Sequence, residues 1–160
     1  GAAYLEESDK GIISVVQGSI GKKGMVLNCE SRRTHNIFTE AGIEHDYLHM
    51  DGQEVYKFAV RQCPKCLLEA LEKADMTADD IDYFVLHQAN VRIIESVAKR
   101  LKAPIEKFPM TLGYTGNMSA ASVPVMLDSL VRDGGLKRGD KVAMSAFGAG
   151  LTYGAIVLEW

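Results

Sequence analysis

Apolar and polar positions follow two periods along this chain, and the places where one gives way to the other mark out its elements. Residues 11–17 are rich in β-branched side chains (Ile12, Ile13, Val15, Val16) and read as a strand; Gly18, Gly21 and Gly24 then predict a turn, with a short strand at 25–27. The first six residues also read as a strand, entered midway, so the chain is expected to be part of something longer. Residues 31–50 are polar and predict a surface excursion. From Gly52 to Ala74 the apolar positions Val55, Phe58, Ala59, Leu67, Leu68 and Leu71 recur at helical spacing, with Pro64 predicting a kink or a break between two helices.

The second half keeps this rhythm. Thr77-Ala78-Asp79-Asp80 caps a short turn ahead of a strand at 81–86, and residues 91–101 have helical periodicity. A loop leads to a helix near 119–132, stopped at Gly134-Gly135; two strands, 141–146 and 152–158, are joined through residues 147–150. Strands and helices in this order predict a single layered α/β domain over residues 1–160.

Composition narrows the function classes. With 160 residues, 47% of them hydrophobic and 24% charged, the chain can bury a proper core. A net charge of −3 and a pI of about 5.8, with Lys and Arg scattered, give no field that would hold a nucleic-acid backbone. No apolar run approaches the roughly 20 residues needed to span a bilayer, and the first residues show no signal-peptide pattern, so a cytoplasmic protein is expected. Cys29, Cys63 and Cys66 suggest no disulfide framework. Cys63-Pro64-Lys65-Cys66 has the form of a redox or zinc motif, but it falls inside a helical pattern with no second pair to complete a metal site. His35, His45 and His49 lie in the polar excursion without ligand-like spacing, and no metal site is expected.

The chemistry concentrates in the second half. His87 follows the strand at 81–86 and precedes a helix, an address where ligands of α/β proteins collect and where the positive end of the helix dipole favours a neutral imidazole. Asn117 stands in a glycine-flanked loop (Gly113, Gly116) just ahead of another helix, with its amide expected to be free. Asparagine is no general base near neutral pH. A His with an Asn therefore reads as two neutral donors for one developing oxyanion, an enolate or alkoxide.

Four stretches in order carry a family resemblance: Met50-Asp51-Gly52-Gln53-Glu54-Val55-Tyr56-Lys57-Phe58-Ala59-Val60; His87-Gln88-Ala89-Asn90-Val91-Arg92-Ile93-Ile94; Gly116-Asn117-Met118-Ser119-Ala120-Ala121-Ser122; and Ala146-Phe147-Gly148-Ala149-Gly150-Leu151-Thr152-Tyr153-Gly154. Nearly end to end, the chain resembles the C-terminal half of the β-ketoacyl-acyl carrier protein synthase III family, of the thiolase fold. The resemblance implies a mixed sheet covered by helices and a decarboxylative Claisen condensation that starts fatty acid or related acyl chains. In that reaction a cysteine takes an acyl group from acyl-CoA, and malonyl-acyl carrier protein loses CO₂ to give the attacking carbanion. No cofactor is implied beyond acyl-CoA as substrate.

By the same resemblance His87 and Asn117 complete a Cys-His-Asn triad. Asn90 orders the pantetheine arm, Met50, Gly52 and Tyr56 line its tunnel, and Arg92 lies near the tunnel mouth where the carrier protein docks. Phe147, Gly148 and Ala149 form the turn that offers a backbone N–H to the acyl-thioester oxygen; Ala149 stands where many members have Gly, an exchange that a negative φ accommodates. The nucleophilic cysteine belongs to an N-terminal half that this sequence lacks, so the chain alone is expected to be inactive, with that half as partner and a homodimer as the assembly.

Plainer readings exist for each group. A lone strand-end histidine is usually structural, Asn117 could simply make an Asx turn, and Arg92 could be a solvated surface charge. Two other readings of the chain remain: a chalcone synthase-type or hydroxymethylglutaryl-CoA synthase-type condensing enzyme, and a non-catalytic acyl-thioester-binding or dimerising subunit.

Overall fold

The computed structural model describes residues 2–29 and 47–160. One four-stranded sheet, in the order β1-β6-β5-β4, organises the chain: β1 is Ile12–Ser19, β4 Tyr83–Leu86, β5 Lys141–Gly148 and β6 Thr152–Glu159. The sheet is mixed, since β4 and β5 run parallel while β5–β6 and β6–β1 are antiparallel. A separate ribbon pairs β2 (Leu27–Asn28) with β3 (His49–Met50).

Helices cover both faces. The side chains of Phe84, Leu86, Ala143, Ala155 and Val157 point to the face packed by α1 (Gly52–Lys73) and α2 (Val91–Leu101), forming the larger core. Val85 and Val142, one residue out of phase, point the other way and meet Met126 of α4 (Ser122–Arg132) in a second core. This alternation is the period-2 signal of a strand buried on both faces. Phe84 is fully buried and stacks on Phe108, with ring centroids 4.7 Å apart and planes within 9°. A short helix, α3 (Leu112–Thr115), precedes α4.

Several elements differ from the sequence expectation. The strand predicted over the first six residues is not formed at residues 2–6, which have no pairing partner and are exposed. Of the turn and strand predicted at 18–27, Gly18 belongs to β1, Gly21–Val26 form a six-residue 3₁₀ stretch, and the two-residue β2 follows. The predicted excursion at 31–50 falls largely outside the described residues, together with His35 and His45; its last two residues, His49 and Met50, form β3.

Pro64 does not break α1, which runs unbroken for 22 residues. A helix-interior proline costs about 3 kcal/mol through its missing N–H and its clash with the preceding turn. Here that cost is met by burial on both sides of it: Ala59, Cys63, Cys66, Leu67, Ala70 and Leu71 continue one stripe against the sheet, and Pro64 is itself fully buried. Where a loop was expected, residues 112–115 form α3, closed by Gly116 at φ +66°.

Candidate active site

The strand directions bring the candidate residues to one end of the sheet. β4 and β5 are parallel with Leu86 opposite Ser145, so their carboxyl ends coincide, and the His87 N–H continues the ladder by donating to the Ser145 carbonyl at 2.9 Å. Two residues beyond Ser145, the Phe147 ring meets the His87 ring edge-on, at 5.3 Å between centroids and 72° between planes. Phe147 also meets Phe58 of α1 edge-on at 6.3 Å, and Phe58 meets Tyr153 at 6.1 Å. His87 is thus held by its backbone in the sheet and by an aromatic cluster behind it.

Asn117 reaches the same end through α4. The far end of that helix lies at the start of β4, where the Tyr83 hydroxyl donates to the Gly135 carbonyl at 3.2 Å, while Met126 in its middle packs in one cluster with Val85. The helix therefore runs antiparallel to β4, and its first turn, reached from Asn117 through the 3₁₀ stretch Ser119–Ala121, lies toward the carboxyl end of the strand that delivers His87. The loop is tightly wound: Gly116 and Ser119 both have positive φ, at 66° and 51°. Asn117 Oδ1 accepts from the Ser119 N–H at 2.9 Å. This is the Asx turn considered as the plainer reading. It engages only the oxygen and leaves the Asn117 NH₂ without a partner among the described residues.

His87 shows the same division. Its backbone is bonded, whereas neither ring nitrogen has a hydrogen-bond partner among the described residues. Burial lowers the imidazole pKa below its ordinary value, so the neutral form is held at neutral pH. Both side chains thus carry neutral N–H donors without an acceptor among the described residues, half-buried at His87 and exposed at Asn117.

The other predicted residues surround this end. Asn90 is the N-cap of α2, its Oδ1 accepting from the Arg92 N–H at 2.9 Å, which leaves its NH₂ for a ligand. Arg92 is exposed in the first turn of α2, with no ion pair among the described residues. Asp51 caps α1 by accepting from the N–H groups of Gln53 and Glu54 at 3.1 and 3.0 Å. It places Met50, Gly52 and Tyr56, all exposed, at the α1 end nearest Phe58 and Phe147. Beside them Glu54 is gripped by Lys23 and Lys57 at 2.8 and 2.9 Å, and the hydrogen bonds from these two lysines hold its carboxyl at about 2.

In the turn between β5 and β6, Thr152 Oγ1 donates to the Ala149 carbonyl at 3.0 Å. Ala149 is not among the residues with positive φ, so the backbone at this position accepts a side chain.

The remaining candidates of the sequence fall elsewhere. Cys63 and Cys66 are buried in the main core, and Cys66 Sγ lies 3.2 Å from the Cys63 carbonyl and 3.4 Å from Ser145 Oγ. Burial pushes the Cys63 thiol up to about 12 and raises that of Cys66, the opposite of a reactive thiolate. Among the described residues no cluster of His, Cys, Asp or Glu could hold a metal ion. No helix among them is long and apolar enough to cross a membrane. One side chain at this end was not singled out from the sequence: Gln88, fully buried next to His87. Its signal was a second polar residue, after His87, at the end of a run of apolar strand positions.

Residues 71–160 match the C-terminal family of 3-oxoacyl-[acyl-carrier-protein (ACP)] synthase III. The chain belongs to this family. A β-ketoacyl-[acyl-carrier-protein] synthase III of Synechococcus sp. strain WH7803 is 46% identical over 166 residues, covering 100% of this chain and 49% of the relative. One from Clostridium novyi is 44% identical over 162 residues, with 100% and 50% covered. Synthase III members thus extend well past this sequence, and the chain spans about half the length of the curated relatives it matches.

Among solved structures, the synthase III of Aquifex aeolicus superposes with a TM-score of 0.84 at 34% identity, over 98% of this chain and 46% of that one. That of Thermus thermophilus gives 0.83 at 40% identity, over 96% and 47%. The fold is the thiolase-like α/β fold expected from the sequence, a mixed sheet covered by helices.

Proposed function

We propose that this chain is the enolate-stabilising, thioester-lining half of a 3-oxoacyl-acyl carrier protein synthase III, which condenses an acyl-CoA primer with malonyl-acyl carrier protein at the start of fatty acid synthesis. The reading rests above all on one observation: His87, its backbone N–H held by Ser145, and Asn117, its Oδ1 held by the Ser119 N–H, lie toward one end of the sheet with their side-chain N–H groups unpartnered among the described residues.

In the proposed reaction a cysteine of the N-terminal half carries the acyl group as a thioester. The malonyl carboxylate departs as CO₂, and the electron pair of the breaking C–C bond flows into the thioester to form an enolate. His87 Nε2–H and the Asn117 NH₂ donate to that oxygen. The enolate carbon then attacks the acyl-cysteine carbonyl, a C–C bond forms, and the cysteine leaves as thiolate and takes up one proton. The products are 3-oxoacyl-carrier protein, CO₂ and free cysteine.

A neutral imidazole suits this task, because an acidic imidazolium could protonate the enolate carbon before it attacks. The turn at Phe147, Gly148 and Ala149 serves the acyl-cysteine oxygen through its backbone. Met50, Gly52, Tyr56 and Asn90 line the pantetheine arm, and Arg92 meets the acidic carrier protein at the mouth. Substrates, carrier protein and N-terminal half make up the partner set, in a cytoplasmic homodimer that needs no bound cofactor. Residues 1–160 form one domain of it and are inactive alone. Exposed apolar side chains at Ile12, Ile13 and Val15 on the edge strand β1 favour such association.

The test is mass-spectrometric detection of the 3-oxoacyl product from acetyl-CoA and malonyl-carrier protein, with the complete enzyme and this chain side by side. Product is expected from the complete enzyme only. In that enzyme His87→Ala is expected to slow malonyl decarboxylation by about 10²- to 10³-fold, the usual effect of removing one oxyanion donor. Near-normal decarboxylation would refute the donor role.

A further inference from the structure

Among the described residues Gln88 is the one long amide side chain with no exposure to solvent, and it directly follows His87. Each hydrogen bond its side chain makes among the described residues goes to backbone. Nε2 donates to the Leu86 carbonyl at 3.0 Å and to the Pro109 carbonyl at 3.5 Å, and Oε1 accepts from the Thr111 N–H at 3.1 Å. Its partners thus lie on both sides: the end of β4, one residue before His87, and the segment 109–111, which has no strand of its own to pair with.

From Thr111 the connection to Asn117 is short and stiff. The Thr111 carbonyl accepts from the N–H groups of Tyr114 and Thr115 at 3.0 and 2.9 Å, and from Thr115 Oγ1 at 3.0 Å. The Gly116 N–H closes α3 on the Leu112 carbonyl at 3.1 Å, and Asn117 follows directly. On the other side His87 is bonded to Gln88 by one peptide and fixed to Ser145 by its N–H. Gln88, beside the Phe84–Phe108 stack, therefore ties the His87 strand end to the segment that leads into the Asn117 loop.

A buried amide is an expensive way to fill that space. Burying a polar group costs free energy that hydrogen bonds at best return, and an apolar side chain of equal volume would pack the site as well if packing were all that mattered. What an apolar residue cannot do is hold the backbone of two elements in fixed register.

Building on the proposed donor roles, we infer that Gln88 is a positioning residue for the decarboxylation step: by tying Leu86 to Pro109 and Thr111 it holds the donors of His87 and Asn117 at the separation that a single enolate oxygen requires. It touches no reacting atom itself. It acts on the half-reaction that uses both donors, and leaves acyl transfer to the cysteine, which uses the turn at Phe147, largely alone.

The experiment measures both half-reactions in the complete enzyme: transfer of labelled acetyl from acetyl-CoA to the cysteine, and CO₂ release from malonyl-carrier protein. Gln88→Met keeps the volume and removes all three hydrogen bonds; Gln88→Asn keeps the amide but is one methylene too short to bridge the gap. Misplacing a reacting group by ~1 Å can cost about 10²-fold, so both variants are expected to slow decarboxylation by ~10- to 100-fold while acetyl transfer changes by less than about threefold.

The ratio of the two rates is the deciding readout, because a loss of folded protein lowers both equally. Equal losses in both half-reactions would reduce Gln88 to a structural residue, and so would unchanged decarboxylation in both variants. His87→Ala and Asn117→Ala serve as references. If they lose decarboxylation and the Gln88 variants do not, positioning alone is overturned; if they keep it, the donor reading falls and positioning with it.

Discussion

Phe147→Ala tests how His87 is kept neutral. The Phe147 ring lies edge-on to His87 at 5.3 Å and to Phe58 at 6.3 Å, so it separates the imidazole from solvent on one side and keys it to α1 on the other. Burial is the only cause of the lowered His87 pKa; no charged neighbour contributes. Removing the ring admits water, and the pKa should climb back toward the ordinary 6.5. Each unit recovered corresponds to about 1.4 kcal/mol of restored imidazolium solvation.

The substitution also costs stability. A fully buried Phe→Ala change costs ~3–5 kcal/mol, and half-buried Phe147 should cost about 2 kcal/mol. Phe147→Leu keeps most of the bulk and should move His87 less. The assay is a ¹³C NMR titration of the histidine Cε1 resonances, with His87 assigned by its loss in His87→Gln. A His87 midpoint that stays in place or falls in Phe147→Ala would refute burial as the cause of the neutral imidazole.

Three further outcomes are expected. The folded state disfavours protonated His87, so the unfolded chain binds the extra proton first: the His87 contribution to stability is whole above 6.5 and is lost as pH falls from there through the lowered folded value. His87→Gln should flatten that part of a stability–pH curve, and an unchanged slope would contradict the assignment. Asn90→Ala should destabilise the protein by about 1 kcal/mol through loss of the α2 cap, whereas Asn90→Asp should retain the cap, as read by thermal unfolding. Cys63 and Cys66, buried and with raised thiol pKa values, should resist iodoacetamide at pH 8 in the folded protein and react once it is unfolded; rapid labelling of the folded protein would show that this part of α1 opens.

How far the fold could be read from the sequence depended on whether local pattern and tertiary contact agreed. The strand before His87, the helix after it and the closing strand pair are strongly periodic, and the structure has them at Tyr83–Leu86, Val91–Leu101, Lys141–Gly148 and Thr152–Glu159. Pro64 was misleading because the breaking tendency of proline is local, whereas the stripe from Ala59 to Leu71 that overrides it is packed against a sheet whose strands lie far away in sequence. The α3 turn was missed because Leu112-Gly113-Tyr114-Thr115 has poor helix formers; its order comes from Thr111, anchored by a glutamine 23 residues earlier. His87 and Asn117 were legible as residue types at element ends, but the antiparallel course of α4 that brings those ends together is a long-range fact that no local pattern carries.

Physical reasons to read this end of the sheet as a site come from the local rules broken there. Arg92 puts a cation in the first turn of α2, where the helix dipole opposes it, and no acidic residue in that turn offsets it. Ser119, a non-glycine, adopts positive φ to close the Asn117 loop. Gln88 places an amide in a core position, and His87 and Asn117 keep donors that nothing among the described residues accepts. Elsewhere unusual groups are satisfied locally: the Lys107 ammonium donates to the backbone carbonyls of Asp79 and Ile81, and Glu159 pairs with Lys10 and Lys141. A sequence under selection for stability alone would have removed such departures singly, because each has a cheap local remedy. Their concentration around His87 and Asn117 is what sets this end of the sheet apart from the rest of the described residues.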